Sequence, residues 1–371
     1  KGDWGTALQV RDEALYAATV IKGSTISQDV VWTKDDSPYL VTGDVTISSG
    51  RSLTIKEGVK VIFLANSDDT ERGEQKYDSG LLGGGSISVL GAAAEPVIFT
   101  SSETAPSKGD WGGIRHQQTG VFEYAVLEYS GYGIYAQNAD ITVKNSKIRY
   151  SGGYGLRAYG EYKKATIEDT EFEGIEGVES RGFYFWGWNG GEVVFRRCKI
   201  TNSNYSSLRI NERPAVLEDN EFSNNEHMYV NVENPRGDVT VKNNKFSGNK
   251  YGRIYLRDPN QDNLTFLVEG NSIKGSGDNS GHMEGIVING LNREVEVLIK
   301  NNTLENRYDG ISVEGNYNNT PTITGNTISG TQKQSTGINV YSKIKATIEN
   351  NTIENKQNGI RVQYSDVNGD G

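Results

Sequence analysis

The chain has little of what most globular domains rely on. Its 371 residues include one cysteine, two methionines, seven prolines and three histidines, and hydrophobic residues make up only 35%. A lone cysteine excludes an internal disulfide, and the lack of any run of 18 apolar residues excludes a membrane-spanning helix. So polar a chain cannot build a thick globular core, whereas a solenoid needs to bury only a narrow column of side chains.

Positive charge is also scarce. Lysine and arginine number 38 against 48 aspartates and glutamates, for a net charge of −10. This balance argues against nucleic acid or an anionic membrane as the main partner, because both usually require a basic surface. A neutral or locally recognised ligand fits better. The sequence starts at Lys1 with no signal peptide visible, as expected either of a mature secreted chain or of a trimmed fragment.

What the chain does have is a repeat of two short phrases, at intervals of roughly 20 to 50 residues. The first phrase recurs as TVKNSKI (142–148), TIEDTEF (166–172), VFRRCKI (194–200), VLEDNEF (216–222), TVKNNKF (240–246), LVEGNSI (267–273), LIKNNTL (298–304), TITGNTI (322–328) and TIENNTI (347–353). The second phrase, apolar-x-apolar-x, follows it, as in LRIN (208–211) and IYLR (254–257). Both alternate with period two, which predicts two strands per repeat with one buried face.

The repeat therefore predicts an all-β fold, a single-stranded right-handed parallel β-helix in which each repeat is one coil of the solenoid. We expect an N-terminal extension or first-coil cap over residues 1–29, the β-helix over residues 30–365, and the start of a truncated dockerin-like or linker segment over residues 366–371.

One column of the first phrase is predicted to stack as a polar ladder. Its members are Ser146, Thr170, Cys198, Asn220, Asn244, Asn271, Asn302, Asn326 and Asn351. Asparagine can donate and accept along such a stack, so we interpret the Asn-x-Thr triplets as ladder positions rather than glycan acceptors. Cys198 shares the column and is predicted to be a buried small side chain rather than a catalytic thiol.

The residues two positions before this column alternate in charge from coil to coil. They are Lys144, Glu168, Arg196, Glu218, Lys242, Glu269 and Lys300. Opposite charges on neighbouring strands stabilise an in-register stack by a few tenths of a kcal/mol each. The pattern indicates a solvated structural face rather than a binding face.

The outward positions of the second phrase differ, because the middle coils combine aromatic, arginine and asparagine side chains. We predict a ligand-binding face made of Arg157, Tyr159, Tyr184, Trp186, Trp188, Asn211, Asn231 and Tyr255. Tyr162 is expected to help Trp188 wall this groove from a flanking turn. Aromatic rings cover pyranose rings, while amides and guanidiniums bind hydroxyls and carboxylates. The alternative is a contact surface for another protein.

The N-terminal third resembles a known family. VVWTKDDSPYLVTGDVTISSGRSLTIKEGVKVIF (30–63), SISVLGAAAEPVIFTSS (86–102) and GDWGGI (109–114) look like the opening coils of secreted bacterial and archaeal pectate-lyase-like β-helix proteins. The resemblance implies a secreted or surface location and a polysaccharide, with a uronate-containing one favoured, along one outward sheet. It does not imply one activity, because the family includes lyases, hydrolases and proteins of other roles.

If the protein is an enzyme, the residues favour a lyase over a hydrolase. A hydrolase needs two carboxyls roughly 5 to 9.5 Å apart, for which Glu233 and Asp258 are the nearest candidates if the turn folds back. A lyase needs a base and a cation beside the uronate carboxylate, roles open to Arg209 and Arg257. Glu233, Asp258 and Glu212 are candidates for holding Ca²⁺; alternatively, Glu233 pairs with Arg257 one coil away.

The last residues, DVNGDG (366–371), resemble the start of a dockerin calcium loop. The resemblance implies that Asp366, Asn368 and Asp370 supply oxygen ligands to Ca²⁺, and that a longer protein docks onto a cohesin in a cellulosome-like assembly. The glutamate that should close the loop is missing from the sequence, which ends at Gly371, and a chance Asp/Asn/Gly tail is the alternative.

Overall fold

A computed structural model describes residues 17–68, 80–179, 182–188, 191–275, 285–305, 308–316, 319–330 and 335–363. These ranges consist of short strands, turns and one 3₁₀ turn, Lys34–Asp36. None of their helical segments has the length and apolar character needed to cross a membrane. The chain divides into two compact units, residues 1–158 and 159–371.

The first unit holds sixteen strands among its described residues, and a further strand, β17 (Leu156–Tyr159), contains the boundary between the units. The sixteen are β1 (Thr19–Ile21), β2 (Ser24–Ile26), β3 (Val30–Trp32), β4 (Tyr39–Val41), β5 (Val45–Ile47), β6 (Ser52–Lys56), β7 (Lys60–Phe63), β8 (Gly80–Gly83), β9 (Ser86–Leu90), β10 (Val97–Ser101), β11 (Gly113–His116), β12 (Gly120–Glu123), β13 (Ala125–Glu128), β14 (Ile134–Gln137), β15 (Ile141–Lys144) and β16 (Lys147–Arg149).

The second unit continues the numbering. Its described strands are β18 (Lys164–Glu168), β19 (Glu171–Glu173), β20 (Phe183–Trp186), β21 (Glu192–Arg196), β22 (Lys199–Thr201), β23 (Leu208–Asn211), β24 (Ala215–Glu218), β25 (Glu221–Ser223), β26 (His227–Glu233), β27 (Val239–Lys242), β28 (Lys245–Asn249), β29 (Tyr251–Arg257), β30 (Leu264–Glu269), β31 (Ser272–Gly275), β32 (Ile286–Leu291), β33 (Val295–Lys300), β34 (Thr303–Glu305), β35 (Ile311–Gly315), β36 (Thr322–Thr324), β37 (Thr327–Ser329), β38 (Thr336–Ser342), β39 (Thr347–Glu349), β40 (Thr352–Glu354) and β41 (Asn358–Gln363).

Each unit is built from three parallel sheets in which every strand pairs with the strand three places along the chain. In the second unit, sheet A runs from β19 through β22 to β40, sheet B from β20 through β23 to β41, and sheet C from β18 through β21 to β39. The same order holds in the first unit, where sheets A, B and C start at β1, β2 and β3. This confirms the predicted all-β parallel solenoid.

The prediction of two strands per repeat was wrong, because each coil has three. The first phrase is cut into a sheet C strand and a sheet A strand by a corner residue with positive φ, such as Asp219 (φ 57°) or Asn243 (φ 55°). Asparagine, aspartate and glycine adopt this left-handed conformation at little cost. The corner residue always directly precedes the ladder position, so the phrase encodes a turn as well as two strands.

The predicted asparagine ladder is present, and it is buried. The side-chain amide of Asn220 donates to Oδ1 of Asn244 at 2.8 Å, and that of Asn244 donates to Oδ1 of Asn271 at 2.9 Å. The same bond continues through Asn302, Asn326 and Asn351. Because these side chains satisfy buried backbone groups of the corner, they replace the hydrogen bonds that a sharp turn loses.

Cys198 occupies the ladder position below Asn220, as predicted. It is 1% exposed, and its backbone N–H donates to Oδ1 of Asn220 at 2.9 Å. Burial raises the pKa of its thiol to about 12, so the thiolate needed for nucleophilic chemistry does not form at neutral pH. Cys198 is a structural residue.

The alternating charges also pair as predicted. Arg196 contacts Glu218 at 2.8 Å, and Glu269 contacts both Lys242 (3.3 Å) and Lys300 (3.5 Å) on its two neighbouring strands. Exposed pairs of this kind contribute at most about 1 kcal/mol each. Their value lies in fixing the register of sheet C.

The core of the first unit contains a histidine, His116, that is fully buried. Its Nδ1 lies 2.6 Å from the carbonyl oxygen of Gln118, and its ring packs against Phe122. A Cβ on Gly120 would lie 2.4 Å from the ring, so only glycine fits there. Burial lowers the pKa of His116 to about 4, despite the hydrogen bond to Gln118, which opposes the shift.

This histidine should make the fold sensitive to acid. Between pH 6.5 and pH 4, His116 is protonated in the unfolded chain but stays neutral in the folded chain. The free energy of unfolding therefore falls as the pH falls, by up to about 3 kcal/mol from this residue. Urea unfolding of the protein and of His116→Gln at pH 7 and pH 4.5 measures the difference. The variant should lose less stability on acidification than the parent. His227→Gln, at a more exposed histidine whose pKa burial also lowers, should show the same change to a smaller extent; equal losses in all three proteins would contradict this.

Candidate functional site on sheet B

The predicted binding residues of the second unit lie on the outward face of sheet B. The strand register places Tyr184 beside Arg209, then Asn231, then Tyr255, and a second column runs from Trp186 through Asn211, Glu233 and Arg257. The inward positions between them, such as Ile210 and Leu256, are fully buried. The period-two pattern therefore placed these side chains on one face correctly.

Three rings form a compact aromatic cluster at one end of this face. The ring of Tyr159 lies 4.6 Å from that of Trp186, and Trp188 meets Trp186 edge to face at 4.4 Å and 73°. Trp188 is 49% exposed, the largest exposed aromatic surface among the described residues. Edge-to-face contacts stabilise aromatic pairs beyond their buried area. We call Tyr159, Trp186 and Trp188 the aromatic platform.

Next to the platform, a buried carboxylate is held between two arginines. Glu233 is 3% exposed; its Oε2 accepts hydrogen bonds from Nε (3.1 Å) and Nη2 (2.6 Å) of Arg209, and its Oε1 accepts one from Nη2 of Arg257 at 2.9 Å. Asn231 donates a further bond to Oε1 at 2.8 Å. The predicted pair of Glu233 with Arg257 is thus one half of a three-residue clamp, Arg209–Glu233–Arg257.

The clamp decides the charge state of its members. Burial alone would raise the pKa of Glu233, but the hydrogen bonds and positive charges of Arg209 and Arg257 outweigh it and leave the pKa lowered. Burial opposes ionisation of Arg257 as well, yet the bond to Glu233 raises its pKa. Glu233 is therefore an ionised, weakly basic carboxylate, and Arg257 stays charged. None of the clamp residues is suited to take a proton from a substrate at neutral pH.

The other two candidate carboxylates, Asp258 and Glu212, are corner residues that contact arginines. Asp258 is the corner residue that ends β29 (φ 52°), and its Oδ2 lies 3.5 Å from Nη1 of Arg257. Glu212 is the matching corner residue after β23 (φ 61°) and pairs with Arg236 at 2.8 Å. With Arg257 between Glu233 and Asp258, these groups do not fit a calcium site, because a Ca²⁺ ion needs several oxygens with no competing cation.

No grouping of three or more histidine, cysteine, aspartate or glutamate side chains suited to a metal occurs in the ranges that the structure describes. The predicted calcium ligands Asp366, Asn368 and Asp370 lie outside those ranges.

The remaining predicted binding residues are only partly available. Tyr255 has the guanidiniums of Arg253 and Arg257 over its ring, at 4.5 and 5.5 Å, and its hydroxyl accepts a bond from Asn289. Asn211 accepts a bond from Asn234 at 3.0 Å. Arg157 belongs to the first unit, where its guanidinium lies over the rings of Tyr135 and Tyr154. Of the rings predicted for this face, Trp188 is the most exposed, at 49%.

One outward column of the face is closed towards the C-terminal coils. Val287, Ser312 and Asn339 follow Tyr255 in the same outward column, yet they are 6%, 5% and 1% exposed. Neighbouring groups therefore cover these three positions. The candidate site is therefore confined to Tyr159, at the end of β17, and the strands from β20 to β29.

Sequence reasoning missed a stack of rings on the same face. His227 lies between Tyr205 (5.1 Å, 14°) and Tyr251 (4.6 Å, 18°), so three rings from successive coils lie nearly parallel. Beside them, the guanidinium of Arg253 lies 5.1 Å from the ring of Tyr229. The signal was present: β26 and β29 alternate over seven residues, HMYVNVE and YGRIYLR, rather than over the last four alone.

A second asparagine ladder, also missed, holds the start of these strands. Oδ1 of Asn225 accepts a bond from the backbone N–H of Ser203, and Oδ1 of Asn249 accepts bonds from both nitrogens of Asn225, all at 3.0 Å. All three side chains are at most 3% exposed. With only three members, this column is too short to be recognised as a repeat.

The most unexpected residue is Arg213, which is completely buried. Its guanidinium donates to the carbonyl oxygens of Gly160 (2.5 Å) and Tyr162 (2.9 Å) and lies 4.0 Å from the ring of Tyr162. Tyr162 is itself only 5% exposed, so the prediction that it walls the groove was wrong. A Cβ on Gly187 would approach Nη2 of Arg213 to 2.0 Å, so glycine is required beside Trp188.

Arg213 should therefore fix the position of Trp188. In Arg213→Lys one ammonium replaces a planar fork that bonds two carbonyls, so we expect the free energy of unfolding to fall by about 2 kcal/mol. We also expect the near-ultraviolet circular dichroism of the Trp186–Trp188 pair to weaken. Arg236→Lys, at the surface pair with Glu212, is the control and should change neither. An unchanged tryptophan signal in folded Arg213→Lys would show that Arg213 does not position the platform.

Comparison with known proteins agrees with this architecture. The family described as "Right handed beta helix region" matches residues 112–261 and 181–342, and that described as "Pectate-lyase like beta helix domain" matches residues 24–120. No curated protein matches the chain.

One similar solved structure is the catalytic unit of a thermostable GH87 α-1,3-glucanase from Streptomyces thermodiastaticus strain HF3-3, with 13% identity and a TM-score of 0.42 over 99% of this chain and 68% of that one. So distant a likeness carries no argument about the ligand.

Proposed function

The chain belongs to the right handed beta helix family, and we propose that it binds a polysaccharide on the outward face of sheet B, with the aromatic platform as the main contact. The observation that carries the proposal is Trp188, a half-exposed indole braced edge to face by Trp186. A rigid exposed ring can cover the apolar face of a sugar at little entropic cost. Polar groups on the next strand, such as Asn211 opposite Trp186, can meet sugar hydroxyls.

The same geometry supports binding over catalysis. The lyase predicted from sequence needs Arg209 as base or Arg257 as partner of a uronate carboxylate, but both guanidiniums are bound to Glu233. A hydrolase needs an acid and a base with separated pKa values. Arg257 contacts both Glu233 and Asp258, and the lowered pKa of Glu233 makes that carboxyl unsuited to act as the acid. Cleavage by β-elimination thus gains no support from these residues.

Retention on polysaccharide tests the proposal. Native electrophoresis through gels containing a soluble neutral glucan, a mannan or polygalacturonate should slow the protein in at least one gel. Parallel assays of ultraviolet absorbance and reducing ends report β-elimination and hydrolysis. Unretarded migration in a broad set of polysaccharides would remove the proposal, and product formation would replace binding by catalysis.

A protein contact is the second candidate function, because the exposed rings of Trp188 and Tyr205 could equally fill a pocket on a partner. A secreted or cell-surface location, calcium at residues 366–371 and docking onto a cohesin remain proposals that rest on the sequence resemblance.

A further inference from the structure

We propose that the sheet B site selects uncharged polysaccharides and rejects polyuronates, because Glu233 occupies the two arginines that a uronate carboxylate would need. The inference rests on the proposed function and names the class of its ligand. It is opposite to the uronate preference expected from the sequence, in which Arg209 and Arg257 are candidates for the base and the cation beside the uronate carboxylate.

The clamp leaves the centre of the site electrically balanced. Arg209 and Arg257 carry two positive charges, and Glu233 and Asp258 carry two negative ones, with N–O contacts between 2.6 and 3.5 Å. Both oxygens of Glu233 accept bonds from arginine. The guanidiniums therefore present a fixed, neutralised surface to a ligand. Hydroxyl groups can bind to such a surface, while a carboxylate finds no excess positive charge.

A uronate could reach Arg209 or Arg257 only by displacing Glu233. That carboxylate is 3% exposed, so displacement would leave a buried charge without its partner, which is strongly unfavourable. In the strand register Glu233 lies directly opposite Arg257, while Arg209 is opposite Asn231 and reaches Glu233 diagonally, so the paired strands β23, β26 and β29 bring the three side chains together.

A further arginine on the face lies outside the clamp and is stacked against aromatic rings. The guanidinium of Arg253, the next arginine on the face, lies over the rings of Tyr229 and Tyr255, at 5.1 and 4.5 Å. The chain as a whole carries −10, which repels a polyanion at a distance. The platform beside the clamp is aromatic and uncharged, as suits a neutral sugar ring.

Glu233→Gln is the discriminating variant. It keeps the shape of the side chain but removes its charge, so Arg209 and Arg257 become available to an anionic ligand. We expect the ratio of polygalacturonate affinity to neutral-polysaccharide affinity to rise at least tenfold over that of the parent. Glu314→Gln is the matched control, because Glu314 is an exposed carboxylate on β35 of the same sheet, and its loss changes the net charge equally. Its ratio should stay within about twofold of the parent, a shift below roughly 0.4 kcal/mol.

Competition in the parent protein gives a second test that does not depend on folding of the variant. A tenfold excess of polygalacturonate should leave binding of the neutral polysaccharide unchanged. Displacement, or tighter binding of polygalacturonate by the parent, would overturn this inference while leaving the proposed function intact. Failure of the parent to bind either polymer would instead overturn the proposed function.

Discussion

Asn244→Ala is expected to lower the free energy of unfolding by about 3 to 5 kcal/mol. Oδ1 of Asn244 accepts bonds from the backbone N–H (3.1 Å) and side-chain amide (2.8 Å) of Asn220, and its Nδ2 donates to the carbonyl of Leu217 at 2.8 Å and to Oδ1 of Asn271 at 2.9 Å. Alanine removes all four bonds and leaves the partners buried. Each unsatisfied buried group costs about 1 to 3 kcal/mol.

Asn351→Ala is the matched control. Asn351 makes the same kinds of bonds at the last rung of the ladder but is partly exposed, so water can replace the lost partners. We expect it to cost about 1 kcal/mol. Urea unfolding followed by far-ultraviolet circular dichroism compares the two, and hydrogen exchange locates the loss. If Asn244→Ala proved no more damaging than Asn351→Ala, the ladder would not be a main source of stability.

The double variant Trp186→Ala/Trp188→Ala should weaken polysaccharide binding by about 100-fold or more. Central aromatic contacts contribute about 2 kcal/mol or more each to typical binding sites, which corresponds to roughly 30-fold per ring. Trp188 supplies the open ring, and Trp186 holds it at 4.4 Å. Removing both deletes the contact and its support together.

Tyr341→Ala provides the comparison, because Tyr341 is an aromatic on β38 of the same sheet, outside the site. Its affinity should remain within about threefold of the parent. Titration calorimetry gives both constants, and thermal unfolding checks that the variants remain folded. An affinity loss of less than tenfold in the double variant would move the binding surface elsewhere.

The sequence predicted the features that repeat in every coil. The asparagine column, the alternating charges ending at Lys300 and the outward face of the second phrase all follow from period-two alternation in a parallel stack, and the strand register confirms them. It did not predict three strands per coil, because a corner of a single residue between two short strands resembles one continuous strand. Asparagine, aspartate or glycine occupies this left-handed corner in every copy of the first phrase but one, Arg197 (φ 52°). Arg197 instead forms an ion pair with Asp169, the corner residue one coil away.

Features specific to one or two coils could not be predicted. Whether Glu233 pairs with one arginine or two depends on rotamers on three strands, and burial of Arg213 depends on the lengths of turns far apart in sequence. Both features bear on the proposed site more than on the scaffold. The pairing of Glu233 occupies the two arginines, and the burial of Arg213 is expected to fix the position of Trp188. The repeat thus predicts the β-helix scaffold, whereas the proposed site consists of residues that differ from the repeat.

Tryptophan fluorescence during titration with a neutral polysaccharide tests the central claim most directly, because Trp188 is 49% exposed whereas Trp32 and Trp111 are 4% and 0% exposed. Binding on the aromatic platform should shift the emission to the blue and protect it from acrylamide quenching, and both effects should be lost in Trp188→Phe. Retention of the protein on the polysaccharide without any change in emission or quenching would contradict it, since the sugar would then bind away from the aromatic platform.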